Sequence, residues 1–164
     1  MIRERYSGIE FGKGWRDEIF DLLSPEQRNI LVIDDQMGVA SSSASVADLF
    51  TKESHHRNLT VIYLVQNVYN QSKSQRTISL NSHYIVVFRN GHDASQFRTM
   101  AYQICPNDGK WLVDSFTDAI SKPSGYLFLD HHPSTPENQT VVPNILPGDQ
   151  HTYYINSHAK VKRH

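Results

Sequence analysis

Four short apolar runs, rich in β-branched and aromatic residues, alternate with more polar stretches along the chain. Runs of this length, bounded by polar or turn-forming residues, are typical of β-strands. The predicted strands are Asn29–Asp35, Leu59–Val65, Tyr84–Phe88 and Tyr126–Asp130. Apolar residues occupy consecutive positions in the first run, so both of its faces are apolar. This pattern predicts a strand that is buried on both faces of a parallel sheet.

Between and before these strands, apolar residues recur at intervals of three and four, which is the spacing of one helix face. A Ser-Pro pair, a run of His and Arg, or a Pro-Asn pair ends several of these patterns, as expected for helix termini. The predicted helices are marked by Trp15–Leu23; by Val46, Leu49 and Phe50; by Gln75–Asn81; by Phe97, Met100, Ala101 and Ile104; and by Leu112, Val113, Phe116 and Ile120.

The alternation of strands and helices predicts an α/β fold with a parallel sheet and right-handed crossovers. From His131 onward the chain is rich in Pro, Asn and Gln and has no periodicity. Such composition favours an extended or disordered segment. We therefore predict one folded domain over residues 1–130 and an extended or disordered tail over residues 131–164.

Composition narrows the class of protein. The chain has 164 residues, a formal net charge of -1 and one cysteine, Cys105. Near-neutral charge excludes a general attraction to nucleic acid, so such binding would have to be local. One cysteine excludes an internal disulfide framework, and no run reaches the roughly 20 apolar residues that span a bilayer. We expect an intracellular protein, cytoplasmic or nuclear, without a membrane partner.

Polar side chains follow the first two predicted strands. Asp34 and Asp35 close the first strand, and Gln66 follows the second. Open α/β sheets bind ligands in the crevice beyond the carboxyl ends of their strands. Paired acids there suit the Walker B position of a nucleotide-hydrolysing protein, where one holds Mg²⁺ and the other polarises water. The alternative interpretation is that the acids and the amide only cap turns.

The order and content of these segments resemble the FtsK/HerA-type ATPases, and most closely the genome-packaging ATPases of Maverick/Polinton elements and large DNA viruses. The resemblance spans about residues 8 to 105. Its segments are Asn29–Met37, Ser54–Asn58, Val61–Asn67 and Arg76–Tyr84. It implies a RecA-like P-loop core, hydrolysis of ATP with Mg²⁺, a ring-shaped oligomer, movement of double-stranded DNA and an association with virions in some relatives.

The resemblance also implies a role for each matching residue. Asp34 corresponds to the Mg²⁺-side acid, and Asp35 to the carboxylate that activates water. Gln66 corresponds to the sensor at the end of the next strand. Arg57 matches the arginine-finger position, and Arg76 is the second candidate for that role. For either arginine, the alternative is a solvated surface charge.

The phosphate-binding half of such a site is missing from the sequence. A P-loop requires G-x-x-x-x-G-K-[ST] between a strand and a helix. The nearest segment, Ser7–Gly14, has Ser at the first Gly position and Gly at the position of the Mg²⁺-binding hydroxyl. We therefore expect no cofactor-binding Walker A loop in this chain. It would be the carboxyl-terminal portion of such a motor, truncated at its amino terminus and inactive by itself.

Parts of the sequence are compatible with three alternatives to this function. The first is a non-enzymatic remnant that serves as an interaction or oligomerisation module. The second is a metal-dependent nuclease using Asp34 and Asp35, although it lacks a nearby third acid and lysine. The third is a zinc site formed by histidines, but the only sulfur ligand is Cys105 and no C-x-x-C or H-E-x-x-H spacing occurs. Cys105, which precedes a proline at a helix end, is expected to serve packing.

Overall fold

The computed structural model describes residues 9–14, 17–34, 44–53, 58–66, 73–89, 94–148, 150 and 152–156. Within them the fold is mixed α/β, as the sequence predicts, and the four predicted strands are confirmed. The strands are β1 (Asn29–Asp34), β2 (Leu59–Leu64), β3 (Tyr84–Phe88), β4 (Tyr126–Asp130) and β5 (Val141–Val142). The helices are α1 (Ala44–Asp48), α2 (Lys73–Asn81), α3 (Ala94–Ile104) and α4 (Gly109–Ala119), with 3₁₀ turns at Asp17–Leu22 and Glu137–Gln139.

The chain divides into two compact units, Met1–Gln66 and Asn67–His164. In the first unit β1 and β2 pair in parallel. A π-helical turn, Leu49–Glu53, continues α1, and its Phe50 ring lies 6.4 Å from the Tyr63 ring of β2, measured between centroids. Val46 and Leu49 are fully buried, as their helical spacing predicts. This helical segment therefore covers one face of the two-stranded sheet.

The opposite face of that sheet is open, contrary to the prediction that β1 is buried on both faces. Leu31 and Ile33 are buried, whereas Ile30 and Val32, which alternate with them, are 68% and 54% exposed. The strand is apolar on both sides, but within the described residues only one side receives a helical cover. Ile62 and Leu64 of β2 continue the exposed apolar face.

The second unit is built on a three-stranded sheet in the order β3-β4-β5. Leu127 and Leu129 of β4 are almost completely buried. They pack with apolar side chains of α3 and α4, including Phe97 and Phe116, whose ring centroids are 4.1 Å apart. The helical faces predicted from the three- and four-residue spacing are therefore confirmed in α3 and α4.

The prediction that β3 and β4 belong to a parallel sheet is wrong. β3 pairs antiparallel with β4, with Tyr84 opposite Asp130 and Phe88 opposite Tyr126. Two helices, α3 and α4, separate these strands along the chain. One crossover helix returns the chain to the end where the first strand began, which gives a parallel partner. A second helix takes the chain to the other end of the sheet, so β4 runs antiparallel to β3.

Residues beyond 130, predicted to be extended or disordered, contribute to this sheet. Val141 and Val142 form β5, pair antiparallel with β4 and are buried. The backbone N–H of Tyr154 donates to the Val141 carbonyl at 2.9 Å. No helix among the described residues is long and apolar enough to cross a membrane.

Candidate functional site at the carboxyl ends of β1 and β2

The register of the parallel pair brings two of the predicted site residues to the same edge. β1 and β2 are paired from Asn29 opposite Leu59 to Asp34 opposite Leu64, without a bulge. Both strands therefore end at the same edge of the sheet. Gln66 lies two residues beyond the partner of Asp34, and both side chains are exposed.

Polar contacts at the opposite end of the strand pair, where β1 and β2 begin, fix this register. The N–H of Asn29 donates to the Asn58 carbonyl at 3.0 Å. Asn58 has a φ of 48°, a left-handed conformation that asparagine tolerates better than most residues. The Asn29 side-chain amide donates to the carbonyls of Ser24, at 2.8 Å, and Gln27, at 3.0 Å. These bonds secure the start of β1 and so determine where Asp34 lies relative to β2.

The other predicted site residues do not belong to the described part of the first unit. Asp35 and Arg57 lie outside the described residues. Arg76 lies on α2, in the second unit, with an exposed side chain. The described site therefore consists of one carboxylate and one amide at an open strand edge.

The Asp34 and Gln66 side chains carry groups of the kind that bind metal ions. A carboxylate and an amide carbonyl offer hard oxygen ligands, and both groups are open to water. Mg²⁺ keeps several of its waters and usually takes only one or two protein carboxylates, so an exposed strand-end aspartate suits it. Among the described residues, no group of three or more His, Cys, Asp or Glu side chains is arranged to hold a metal ion.

Cys105 belongs to the second unit, directly follows α3, and packs against the core of that unit. Burial raises the pKa of its thiol, and the nearby charge of Asp108 raises it further. Because the thiolate is the reactive form of cysteine, a raised pKa opposes use as a nucleophile. The packing role predicted for Cys105 is confirmed.

A second polar cluster, on β4 and the residues that follow it, was not identified from the sequence. Tyr126, Phe128 and Asp130 alternate with the buried Leu127 and Leu129. This alternation is the sequence feature that could have identified the cluster. It predicts that the three side chains lie on the face of the strand opposite Leu127 and Leu129. The other members of the cluster, among them Gln139 and Tyr153, come from residues beyond 130, whose sequence shows no periodicity.

No family model, curated protein or solved structure matches this chain.

Proposed function

We propose that this chain supplies the metal-binding and water-activating edge of an ATP-driven motor that moves double-stranded DNA, of the FtsK/HerA genome-packaging type. The observation that carries the proposal is the parallel register of β1 and β2, in which Asp34 and Gln66 share one edge of the sheet. Carboxyl ends of parallel strands are where such folds bind ligands. A partial RecA-like core and a ring of subunits belong to the same proposal.

In this proposal the Asp34 carboxylate would hold Mg²⁺, and Gln66 orients the attacking water by its amide. A bound Mg²⁺ would neutralise charge that develops on the transferred phosphoryl group. Asp35 accepts the proton of that water. Arg57, or alternatively Arg76, reaches the phosphates of a neighbouring subunit, where a guanidinium stabilises the transition state. DNA contacts are directed to phosphates and independent of sequence.

The proposed metal site is tested by NMR with Mn²⁺ as a paramagnetic substitute for Mg²⁺. We expect the backbone resonances of Asp34 and Gln66 to broaden before those of Asn29 and Leu59, at the opposite end of the same two strands, because the ion would be held at the strand edge. Asp34→Asn removes the charge and should abolish the selective broadening. Asp21→Asn is the matched control, since Asp21 is an exposed carboxylate in the same unit and its loss should leave the broadening unchanged.

An ATP hydrolysis assay on the same purified chain tests whether activity requires a phosphate-binding loop. Since the sequence contains no G-x-x-x-x-G-K-[ST], the isolated chain should not hydrolyse ATP in the presence of Mg²⁺, with or without duplex DNA. Turnover that disappears in Asp35→Asn would contradict this expectation and would direct attention to Gly12 and Lys13. Absence of selective broadening at Asp34 would reject the proposed metal site.

A non-enzymatic interaction module is the second candidate, and one observation favours it. The open face of the β1-β2 sheet presents four exposed aliphatic side chains, Ile30, Val32, Ile62 and Leu64. Contiguous apolar surface of this kind commonly marks a protein interface. Concentration-dependent self-association in sedimentation velocity, without selective broadening at Asp34, would support this function over the ATPase.

A further inference from the structure

A pocket of about 290 Å³ lies on the second unit, whereas the proposed ATP site belongs to the first. Phe128 and Asp130 of β4 and Val142 of β5 line it, and Gln139 and Tyr153 are among the other lining residues. Leu127 and Leu129, which alternate with Phe128 and Asp130, are buried in the helix-covered core. The pocket therefore opens on the face of the sheet opposite α3 and α4.

The Phe128 side chain packs against an aromatic neighbour. The Tyr84 ring stacks on Phe128, with centroids 5.7 Å apart and planes inclined by 20°. It also stacks on His132, at 6.2 Å and 6°. Stacked rings restrict one another's rotation, so Phe128 presents a preformed surface to the pocket. Tyr153, which is 42% exposed, contributes a second ring to the lining.

The charge of the pocket comes from one carboxylate. Among the described lining residues Asp130 alone is charged, and no lysine or arginine accompanies it. Its Oδ1 accepts the backbone N–H of His132 at 2.9 Å, which orients the carboxylate. A carboxylate has two oxygen atoms and several lone pairs, so Asp130 can accept a further donor from a ligand.

We propose that this pocket binds an organic cation of the guanidinium type, such as an arginine side chain or a small alkylguanidine. A guanidinium is planar, stacks on aromatic faces and pairs with carboxylates through a fork of N–H donors. The pocket offers both partners, since Phe128 and Tyr153 supply rings and Asp130 supplies the carboxylate. The negative charge of Asp130 disfavours a phosphate-bearing ligand such as a nucleotide.

The test is an NMR titration of the full chain with N-acetyl-arginine amide and with its neutral isostere, N-acetyl-citrulline amide. We expect the arginine compound to give saturable shifts at Phe128, Asp130 and Tyr153, and the citrulline compound to bind at least about fivefold more weakly, as a lost charge contact implies. Agmatine tests a small free cation, and a Gly-Arg-Gly peptide tests an arginine within a chain. If agmatine binds more tightly, the ligand is a small free cation; if the peptide binds more tightly, the ligand is an arginine side chain within a chain.

Two variants distinguish the loss of the Asp130 charge from a loss of folding. Asp130→Asn keeps an oxygen that can accept the His132 N–H but removes the negative charge, so it should weaken the arginine compound about fivefold or more. Asp114→Asn is the control, because Asp114 is a largely exposed carboxylate on α4, 3.8 Å from Lys110, and its loss should leave binding unchanged. An unaltered circular dichroism melting curve verifies that each variant is folded.

Three results would overturn the proposal. Equal affinity for the arginine and citrulline compounds would show that charge is not recognised. Full affinity in a folded Asp130→Asn variant would remove Asp130 from the site. Tighter binding of adenosine monophosphate than of the arginine compound would assign the pocket to an anionic, base-stacking ligand. Because the pocket lies in a different unit from Asp34, none of these results bears on the proposed ATP site.

Discussion

The backbone around Gly125 shows how closely a single residue can be constrained by its neighbours. Gly125 lies between α4 and β4, and its N–H donates to the Lys122 carbonyl at 3.1 Å. A Cβ added there would lie 2.2 Å from the Ala119 carbonyl oxygen and 2.9 Å from the Ile120 Cα. Both neighbours are backbone atoms, so a rotamer change cannot relieve the clash. The turn therefore requires glycine for steric reasons.

We predict that Gly125→Ala lowers the free energy of unfolding of the second unit by about 2–4 kcal/mol, a range expected where backbone must shift to admit a side chain. Urea denaturation followed by circular dichroism measures the change. Gly12→Ala is the matched control, since a Cβ at Gly12 would meet no atom within 4 Å. Equal effects of the two substitutions would contradict the steric explanation.

At the scale of elements, the second unit depends on contacts made by residues late in the chain. Tyr154 is joined to two separate elements. Its backbone N–H donates to the Val141 carbonyl of β5, and its hydroxyl donates to Oδ2 of Asp118 on α4 at 2.5 Å. Partial burial and the hydrogen bond to Asp118 raise the pKa of the Tyr154 hydroxyl. It therefore remains a donor at neutral and moderately alkaline pH.

Tyr154→Phe removes the hydroxyl while keeping the ring, so we predict a loss of about 1 kcal/mol, the usual contribution of one hydrogen bond. Faster hydrogen exchange at the residue 154 amide, with little change at the α4 amides, would show that the segment is released locally. Tyr102→Phe, on the exposed side of α3, provides the control. The anchoring role is refuted if exchange at residue 154 is the same in both variants.

At the scale of the whole molecule, stability should depend on pH through His131. Desolvation lowers the pKa of His131 below its ordinary value of 6.5. A hydrogen bond to the Ser82 backbone and the charge of Asp130 act in the opposite direction but are smaller. Between the lowered pKa and 6.5 the unfolded chain binds more protons than the folded one. The free energy of unfolding therefore rises with pH across that window.

We predict that, as far as His131 is concerned, the free energy of unfolding is highest above pH 6.5. It falls as the pH is lowered from 6.5 towards the pKa of His131 in the folded chain. His131→Gln removes the titrating group and should flatten this part of the stability curve. The measurement is the free energy of unfolding in urea between pH 5 and pH 8. A variant with the same slope as the natural chain would exclude His131 as the origin of the pH dependence.

Much of this fold was predictable from local patterns. Strand positions, and the buried faces of α3 and α4, follow from apolar spacing, because burial imposes a period of two on strands and about 3.6 on helices. The direction of β4 did not follow, because it depends on the two helices between β3 and β4 packing as a pair. β5 was also missed, since two buried valines form too short a pattern to detect.

The sequence by itself determined the helices, the four longer strands and the polar ends of β1 and β2, because these depend on neighbours along the chain. It marked Asp34, Asp35 and Gln66 as candidates through their positions at strand ends, whereas Arg57 and Arg76 are candidates only through the resemblance to the packaging ATPases. Tertiary structure decided which residues share an edge or a cavity. The register of β1 and β2 brings Asp34 and Gln66 to one edge. The hydrogen bond of Tyr154 to Val141 of β5 secures the last described segment, whose Tyr153 lines one pocket with Phe128 and Asp130. Such contacts join residues distant in sequence, and no local pattern encodes them.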